Sequence, residues 1–234
     1  MQKSIDCVVV GDIQTNCWLY LLDESDEANG MKPCAVIDPG DEHEAIVSRL
    51  KELNWFPRYI LLTHGHFDHI TAVPGLLEAC QNGAFGGQVI PLPKIGIHRQ
   101  DAHYFGKDAL AVHRSSFVSA GGSAAYVNAL WKTLPDADIF FEEGETIAAF
   151  KILHVPGHTP GSSCFYHEKT GILFTGDTIF QGDYGRTDLA GGDWNLLCKS
   201  LKRLLAMPGE TVICPGHGQI STVKDEAEYH NGEF

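Results

Sequence analysis

No stretch of this 234-residue chain approaches the roughly 18 consecutive apolar residues of a membrane-spanning helix. The longest candidates, such as Ile60-Leu61-Leu62, are strand-sized. The opening Met1-Gln2-Lys3-Ser4-Ile5-Asp6 lacks a basic stretch followed by a long apolar one, so no secretory leader is expected. Positive charge is scarce: 17 Lys+Arg stand against 30 Asp+Glu, a formal charge of −13. That balance argues against nucleic acid or an anionic membrane as the main partner and points to a small-molecule substrate. Cysteine pairs are missing too. Cys7, Cys17, Cys34, Cys80, Cys164, Cys198 and Cys214 form no Cys-x-x-Cys, and an odd number scattered through apolar segments reads as reduced, buried thiols in a cytoplasmic protein. Repeats, low-complexity tracts and Pro/Ser-rich linkers are absent. What remains, 44% apolar and 20% charged, is the balance of a globular domain.

Strand-like runs open the chain at Cys7–Val10 and Cys17–Leu22, joined by a turn from Gly11 to Asn16. Polar residues from Asp23 to Lys32 read as a surface hairpin loop, and Cys34–Ile37 as a third strand. A helix follows, with Asp41 as its expected cap and Ile46, Leu50 and Leu53 on one face. Tyr59–Leu62 is the next buried strand. Gly83–Gly87 reads as a connection, Val89–Leu92 and Lys94–Ile97 as extended, and Arg99–Phe105 and Ala124–Leu134 as helical, with a loop at Gly121-Gly122. Strands return at Thr146–Val155, Ser162–His167, Ile172–Thr175 and Thr211–Cys214. Helices are expected over Asn195–Ala206, with Leu196, Leu197, Leu201, Leu204 and Leu205 on one side, and from Thr222 to Tyr229. This order predicts a mixed α/β chain whose sheets pack face to face beneath covering helices.

Histidine is abundant: there are 12, unevenly spread. Thr63-His64-Gly65-His66-Phe67-Asp68-His69 places four potential ligands in six positions directly after a buried strand. An extended strand would put residues 64, 66 and 68 on one face and 69 on the other, whereas a turn can divide the four between two adjacent points. Nitrogen and carboxylate donors of this kind suit a divalent metal. Such a short segment cannot close two sites alone, and three more candidates sit in loops after strands. They are His158 in Val155-Pro156-Gly157-His158-Thr159-Pro160-Gly161, Asp177 in Thr175-Gly176-Asp177-Thr178, and His217 in Pro215-Gly216-His217-Gly218. Flanking Gly and Pro let the backbone turn sharply toward a shared rim.

Together these segments resemble the metallo-β-lactamase superfamily, and within it the short, single-domain members of the hydroxyacylglutathione hydrolase (glyoxalase II) group. Val10–Cys17, Ile37-Asp38-Pro39-Gly40 and Gly185-Arg186-Thr187-Asp188 extend the resemblance over nearly the whole chain. It implies a four-layer αβ/βα sandwich, one domain over 1–234, with metals at one edge of the two sheets. It also implies that His64, His66 and His158 hold one ion, that Asp68, His69 and His217 hold the second, and that Asp177 bridges both. The implied cofactor is two divalent cations, zinc foremost, with iron or manganese as alternatives. The implied reaction is attack of a metal-bridging hydroxide, oriented by Asp68, on a thioester such as S-lactoylglutathione. Lactone or other ester hydrolysis is an alternative, as is a mononuclear iron oxidoreductase like the persulfide dioxygenases, using His64, His158 and Asp177. The C-terminal helical domain of full-length glyoxalase II, which supplies basic residues for glutathione, is not expected here.

The remaining residues carry weaker signals. Lys107, Arg114, Tyr104, Tyr126 and Arg186 are available substrate-tail donors, though Arg186 equally suits an ion pair with Asp183 or Asp188. His154 reads as a histidine satisfied within the core or behind the ligands. His98, His103 and His113 read as surface or packing residues, and His43, His167 and His230 as exposed. Asn16 needs only a turn role, and Trp55 reads as core at a helix end.

Overall fold

A computed structural model describes residues 4–23, 28, 30–87 and 89–234. Two six-stranded sheets form its centre. In the first, β1 (Ile5–Val10), β2 (Thr15–Leu21) and β3 (Lys32–Ile37) run antiparallel; β4 (Trp55–Leu61), β5 (Lys94–His98) and β6 (Ile139–Phe141) then add in parallel. The second contains β7 (Thr146–Ile147), β8 (Phe150–His154), β9 (Ser163–His167) and β10 (Ile172–Gly176). A small hairpin follows, β11 (Ile179–Phe180) with β12 (Asp183–Tyr184). The sheet is completed by β13 (Val212–Pro215), parallel to β10, and β14 (Ser221–Thr222).

Period-two alternation explains why the sheets face one another. On β2 and β3, Trp18, Tyr20, Ala35 and Ile37 meet Phe150, Ile152, Phe165 and Phe174 of the second sheet, while Cys17, Leu19, Cys34 and Val36 point the other way. Both faces are apolar, so both must be covered. Helices α1 (His43–Leu53) and α2 (Val73–Gln81) cover the first sheet through Ile46, Leu50, Val73 and Leu76. Helix α5 (Trp194–Leu205) and helix α6 (Val223–Tyr229) cover the second through Leu197, Leu201, Leu204 and Val223. Four layers result: the αβ/βα sandwich that the sequence implied. The pair α3 (Leu110–Ser119) and α4 (Ala124–Leu130) stands apart, over one edge of the sheets. Among the described residues no helix is long and apolar enough to cross a membrane. Cysteines 17, 34, 80, 164 and 214 are buried, Cys7 and Cys198 are partly exposed, and all seven are free thiols.

Several sequence expectations need correction. Residues 89–92 are irregular, whereas the helical reading of Arg99–Phe105 is met by a 3-10 helix over Arg99–Tyr104. The segment 146–155 is a hairpin, since Ala148 and Ala149 turn the chain with φ of 50° and 78°. Helix α4 stops at Leu130. Helix α3 was not expected at all; it buries His113 and Ser116 in place of an apolar stripe, so its periodicity is silent. Asp41 does not cap α1, which begins after Glu42 in the left-handed region. Leu196 is 38% exposed, on the edge of the stripe it was assigned to. His230 is buried, packed against Tyr184 and Phe234, where a polar context had suggested exposure. The expected hairpin loop at 23–32 falls largely on residues 24–27 and 29, outside the described residues.

Candidate metal centre

Every strand that precedes a candidate ligand ends at the same edge. After β4 the chain stays extended through His66 (φ −67°, ψ 151°) and then tightens into a 3-10 turn over Phe67–His69. That change of backbone splits the cluster. His64 and His66 turn toward His158 from the loop after β8; Asp68 and His69 turn toward His217 from the loop after β13. Asp177, following β10, lies between the two groups. The edge is tied to the start of the chain as well. Thr15 bridges to His217, the Asn16 amide donates to Gly216 O at 2.7 Å, and the Trp18 indole donates to Pro215 O at 2.9 Å. Asn16 therefore has a positioning role that its turn context had not required.

The distances are short. His66 Nδ1 lies 2.8 Å from His158 Nε2, and the His64 ring centroid lies 4.8 Å from each of those rings. His69 Nε2 lies 3.3 Å from Asp177 Oδ1 and 3.5 Å from Asp68 Oδ2. His217 Nε2 lies 3.3 Å from Asp68 Oδ2 and 3.5 Å from Asp177 Oδ2, and His158 Nε2 is 3.7 Å from the same Asp177 oxygen. Two sets, His64/His66/His158 and Asp68/His69/His217, each bring donor atoms within 4.8 Å of one another. A third set, Asp38/His64/His69, meets the same measure. Asp38 is already committed, however: it accepts from Thr63 N at 2.8 Å and from Thr63 Oγ1 at 2.7 Å.

Three outward nitrogens are spoken for. His158 Nδ1 donates to Arg186 O at 2.7 Å and His217 Nδ1 to Gln14 O at 3.3 Å. His64 Nδ1 reaches Thr63 Oγ1 at 3.1 Å, whose proton is given to Asp38, so His64 is the donor there. His69 Nδ1 faces Asp38 Oδ2 at 3.1 Å. This leaves the Nε2 atoms of His64, His69, His158 and His217 directed inward, where a cation would take the place of the protons that His69 and His217 share with Asp68 and Asp177. Five buried atoms of the cluster, His64 Nε2, His66 Nε2, both ring nitrogens of His69 and Asp177 Oδ1, have no hydrogen-bond partner. Buried polar atoms are almost always paired, so a cluster of unpaired nitrogen and carboxylate donors fits a borderline divalent cation.

Titration follows the same geometry. Burial, with neighbouring histidines, holds His64 well below the usual imidazole range and His66 at about 3. Burial alone would raise Asp68, yet His69 and His217 outweigh it and hold the carboxyl at about 2. Burial would lower His217, but its hydrogen bonds to Asp177 and Asp68 lift it to about 10. His69 is raised, and Asp177 lowered, by the same mutual attraction against burial.

Two acidic residues at this edge carried no role in the sequence reading. Asp38 orients His69 and Thr63 from a left-handed backbone (φ 52°). Asp101, fully buried, accepts from Gly65 N (3.0 Å), Gly161 N (2.7 Å) and Thr159 Oγ1 (2.7 Å), clipping the two histidine loops together. Both follow strands of the first sheet at the ligand-bearing edge, and that position was the available signal. Arg186 forms the ion pair with Asp188; Lys107 and Arg114 do not line the cleft above the cluster. Tyr104 is buried over Gly65, and Tyr126 donates to Asp12 at 3.3 Å. His154 is satisfied by Pro160 O and stacks on buried His98.

Fold and cluster together define a two-sheet αβ/βα protein with a histidine and aspartate metal-binding edge. A family model for the metallo-beta-lactamase superfamily matches residues 10–217, and the chain belongs to that superfamily. It is 34% identical over 228 residues to hydroxyacylglutathione hydrolase GloC of Haemophilus influenzae, covering 95% of this chain and 94% of that one. Among solved structures it resembles TTHA1623 in a di-iron-bound form, with 33% identity, TM-score 0.77, and 98% and 100% of the two chains covered. It also resembles the BLEG-1 B3 metallo-beta-lactamase, with 31% identity, TM-score 0.75 and 98% of each chain covered.

Proposed function

We propose that this protein is a dinuclear metal-dependent hydrolase of thioesters, of which S-lactoylglutathione is the type. His64, His66 and His158 would hold one ion, and Asp68, His69 and His217 the other, with Asp177 between the two sets. The observation that carries the reading is the adjacency of two buried donor sets that keep unpaired nitrogens and a carboxylate oxygen among them, His64 Nε2, His66 Nε2, His69 Nε2 and Asp177 Oδ1. A mononuclear reading would leave the Asp68/His69/His217 set, equally well formed, without a purpose. The identity to GloC favours a thioester; the di-iron neighbour keeps iron beside zinc as a candidate ion.

Divalent cations bound there lower the pKa of water and stabilise negative charge on a carbonyl oxygen. The chain supplies the rest. Asp68, partly exposed and held by Thr15 Oγ1 at 3.4 Å, is ionised at neutral pH and accepts the proton side of the incoming water, fixing its direction. The water oxygen bonds to the carbonyl carbon and the C–S bond breaks. The thiolate then leaves with the electron pair, and the water protons pass to Asp68 and solvent. A thiol with a pKa near about 8–9 leaves as the anion without help, whereas an amine must first be protonated. His113 is the remaining imidazole lining the cleft. Its Nε2–H is given to Tyr104 O at 2.8 Å, and burial holds it at about 4, neutral and without a proton to lend. Thioesters and activated esters are therefore favoured over β-lactams. The five buried, unpaired thiols support a reducing cytoplasmic setting.

The test is metal content together with turnover. Protein given two equivalents of zinc should hold two per chain and cleave S-lactoylglutathione. A rate no higher than that of a His66→Ala variant removes the proposal, and one iron per chain with oxygen uptake replaces it with the oxidoreductase.

A further inference from the structure

The cleft above the cluster encloses about 400 Å³, and away from the histidine and aspartate cluster its lining is mostly apolar, with His113, Ser116 and Arg186 as the polar side chains. Ile13 and Phe67 form one side, Phe117, Ala120 and Gly122 at the α3–α4 corner form the roof, and Leu189 closes the far end. Among the described lining residues Arg186 is the one Lys or Arg. Its guanidinium is already engaged in a fork with Asp188, Nε to Oδ1 at 2.7 Å and Nη2 to Oδ2 at 2.7 Å. Such a fork uses the edge with which arginine reads carboxylates, and the pair is neutral as a unit. The rim beside Ile13 is acidic: the Tyr126 hydroxyl donates to Asp12, with Asp41 and Asp68 close enough to act on it.

We propose, building on the thioester reading, that this cleft selects substrates whose group beyond the reacting carbonyl is uncharged and apolar. Free carboxylates on the leaving thiol then count against turnover. A carboxylate held against the wall away from the metal cluster would give up hydration and meet only Arg186, already paired with Asp188. The field of a chain carrying −13 opposes its approach as well. An uncharged tail meets Phe117, Ala120 and Leu189 at no such cost.

The experiment compares N-acetylated S-lactoylglutathione with its diethyl ester; acetylation removes the ammonium charge from both, and esterification removes both carboxylate charges, so the diester is uncharged while the acyl group and the leaving sulfur are kept. With the metal-loaded full chain, kcat/KM by thioester loss should be at least tenfold higher for the diester, and added salt should narrow the gap. Equal or better turnover of the free acid overturns the inference while leaving the thioester reading intact. Calorimetric binding of N-acetyl-S-benzylglutathione and its diethyl ester, thioethers with no thioester to cleave, reads the same preference apart from thioester turnover. If the diester binds tighter and neither thioester is cleaved, the cleft preference stands and the thioester reading falls. Ala120→Arg, which places a cation in the roof, should shift the ratio toward the free acids at least tenfold in both assays; an unchanged ratio counts against the proposal.

Discussion

Asp101 accepts a 3.0 Å hydrogen bond from the amide of Gly65, between the first two histidines of the cluster. Its other bonds go to Thr159 and Gly161, flanking the third histidine loop. One carboxylate thus sets the spacing between two loops that are 92 residues apart at His66 and His158. Asp101→Ala would leave two buried amides and a hydroxyl without an acceptor, at about 1–3 kcal/mol for each unsatisfied group. We expect a loss of about 3 kcal/mol in denaturant unfolding. Asp101→Asn, with one oxygen left to accept, should lose less.

Asp38 acts on His69 alone among the ligands through a direct contact. Asp38→Ala should let that imidazole rotate and lower its basicity. Partners of metal-binding histidines are typically worth about 10–100-fold in metal affinity. Competition with a chelator of known affinity should show a loss of that size for one ion per chain, with the other retained.

Gly216 has no room for a side chain. A Cβ there would press on Asp177 Oδ1 and on the His69 ring. Gly216→Ala should leave the far-ultraviolet circular dichroism unchanged while metal content and thioester turnover fall more than tenfold. Normal metal content in that variant would show that Asp177 is free to yield.

His98 and His113 predict an acid limit to stability. Burial, with His154 beside it, holds His98 at about 4; burial holds His113 at about 4 against the bond to Tyr104 O. The unfolded chain protonates near 6.5, so between pH 6.5 and 4 it binds more protons than the folded one. Stability should fall as pH drops through that window and flatten below it. His113→Gln, which keeps a donor for Tyr104 O, should make the fall shallower by one proton per chain; denaturant midpoints at pH 7.5 and 5.0 measure it.

What the sequence disclosed depended on where the signal lay. The histidine cluster is contiguous, and β4 before it is an apolar run, so the candidate donors and the strand were readable together. Asp177 and His217 were readable because glycine and proline mark the ends of β10 and β13. Helix α3 was not, because its buried side is a histidine and a serine, a pattern indistinguishable from a polar loop. Asp101 and Asp38 are solitary acids whose partners are backbone amides or residues of other loops, and no local spacing announces such partners. His230 failed for a related reason: its burial comes from Tyr184 and Phe234, which the fold brings to it.

The bridge between Thr15 and His217 bears on how the protein is made. A ribosome that has not passed Gly218 has delivered β2 with its Trp18 indole and Asn16 amide still lacking their acceptors, and one cation cage short of a wall. Closure of this edge thus waits on β13, whose Pro215 lies 197 residues after Trp18, and a product terminated before it would present an unfinished β2 margin to the cell's proteases.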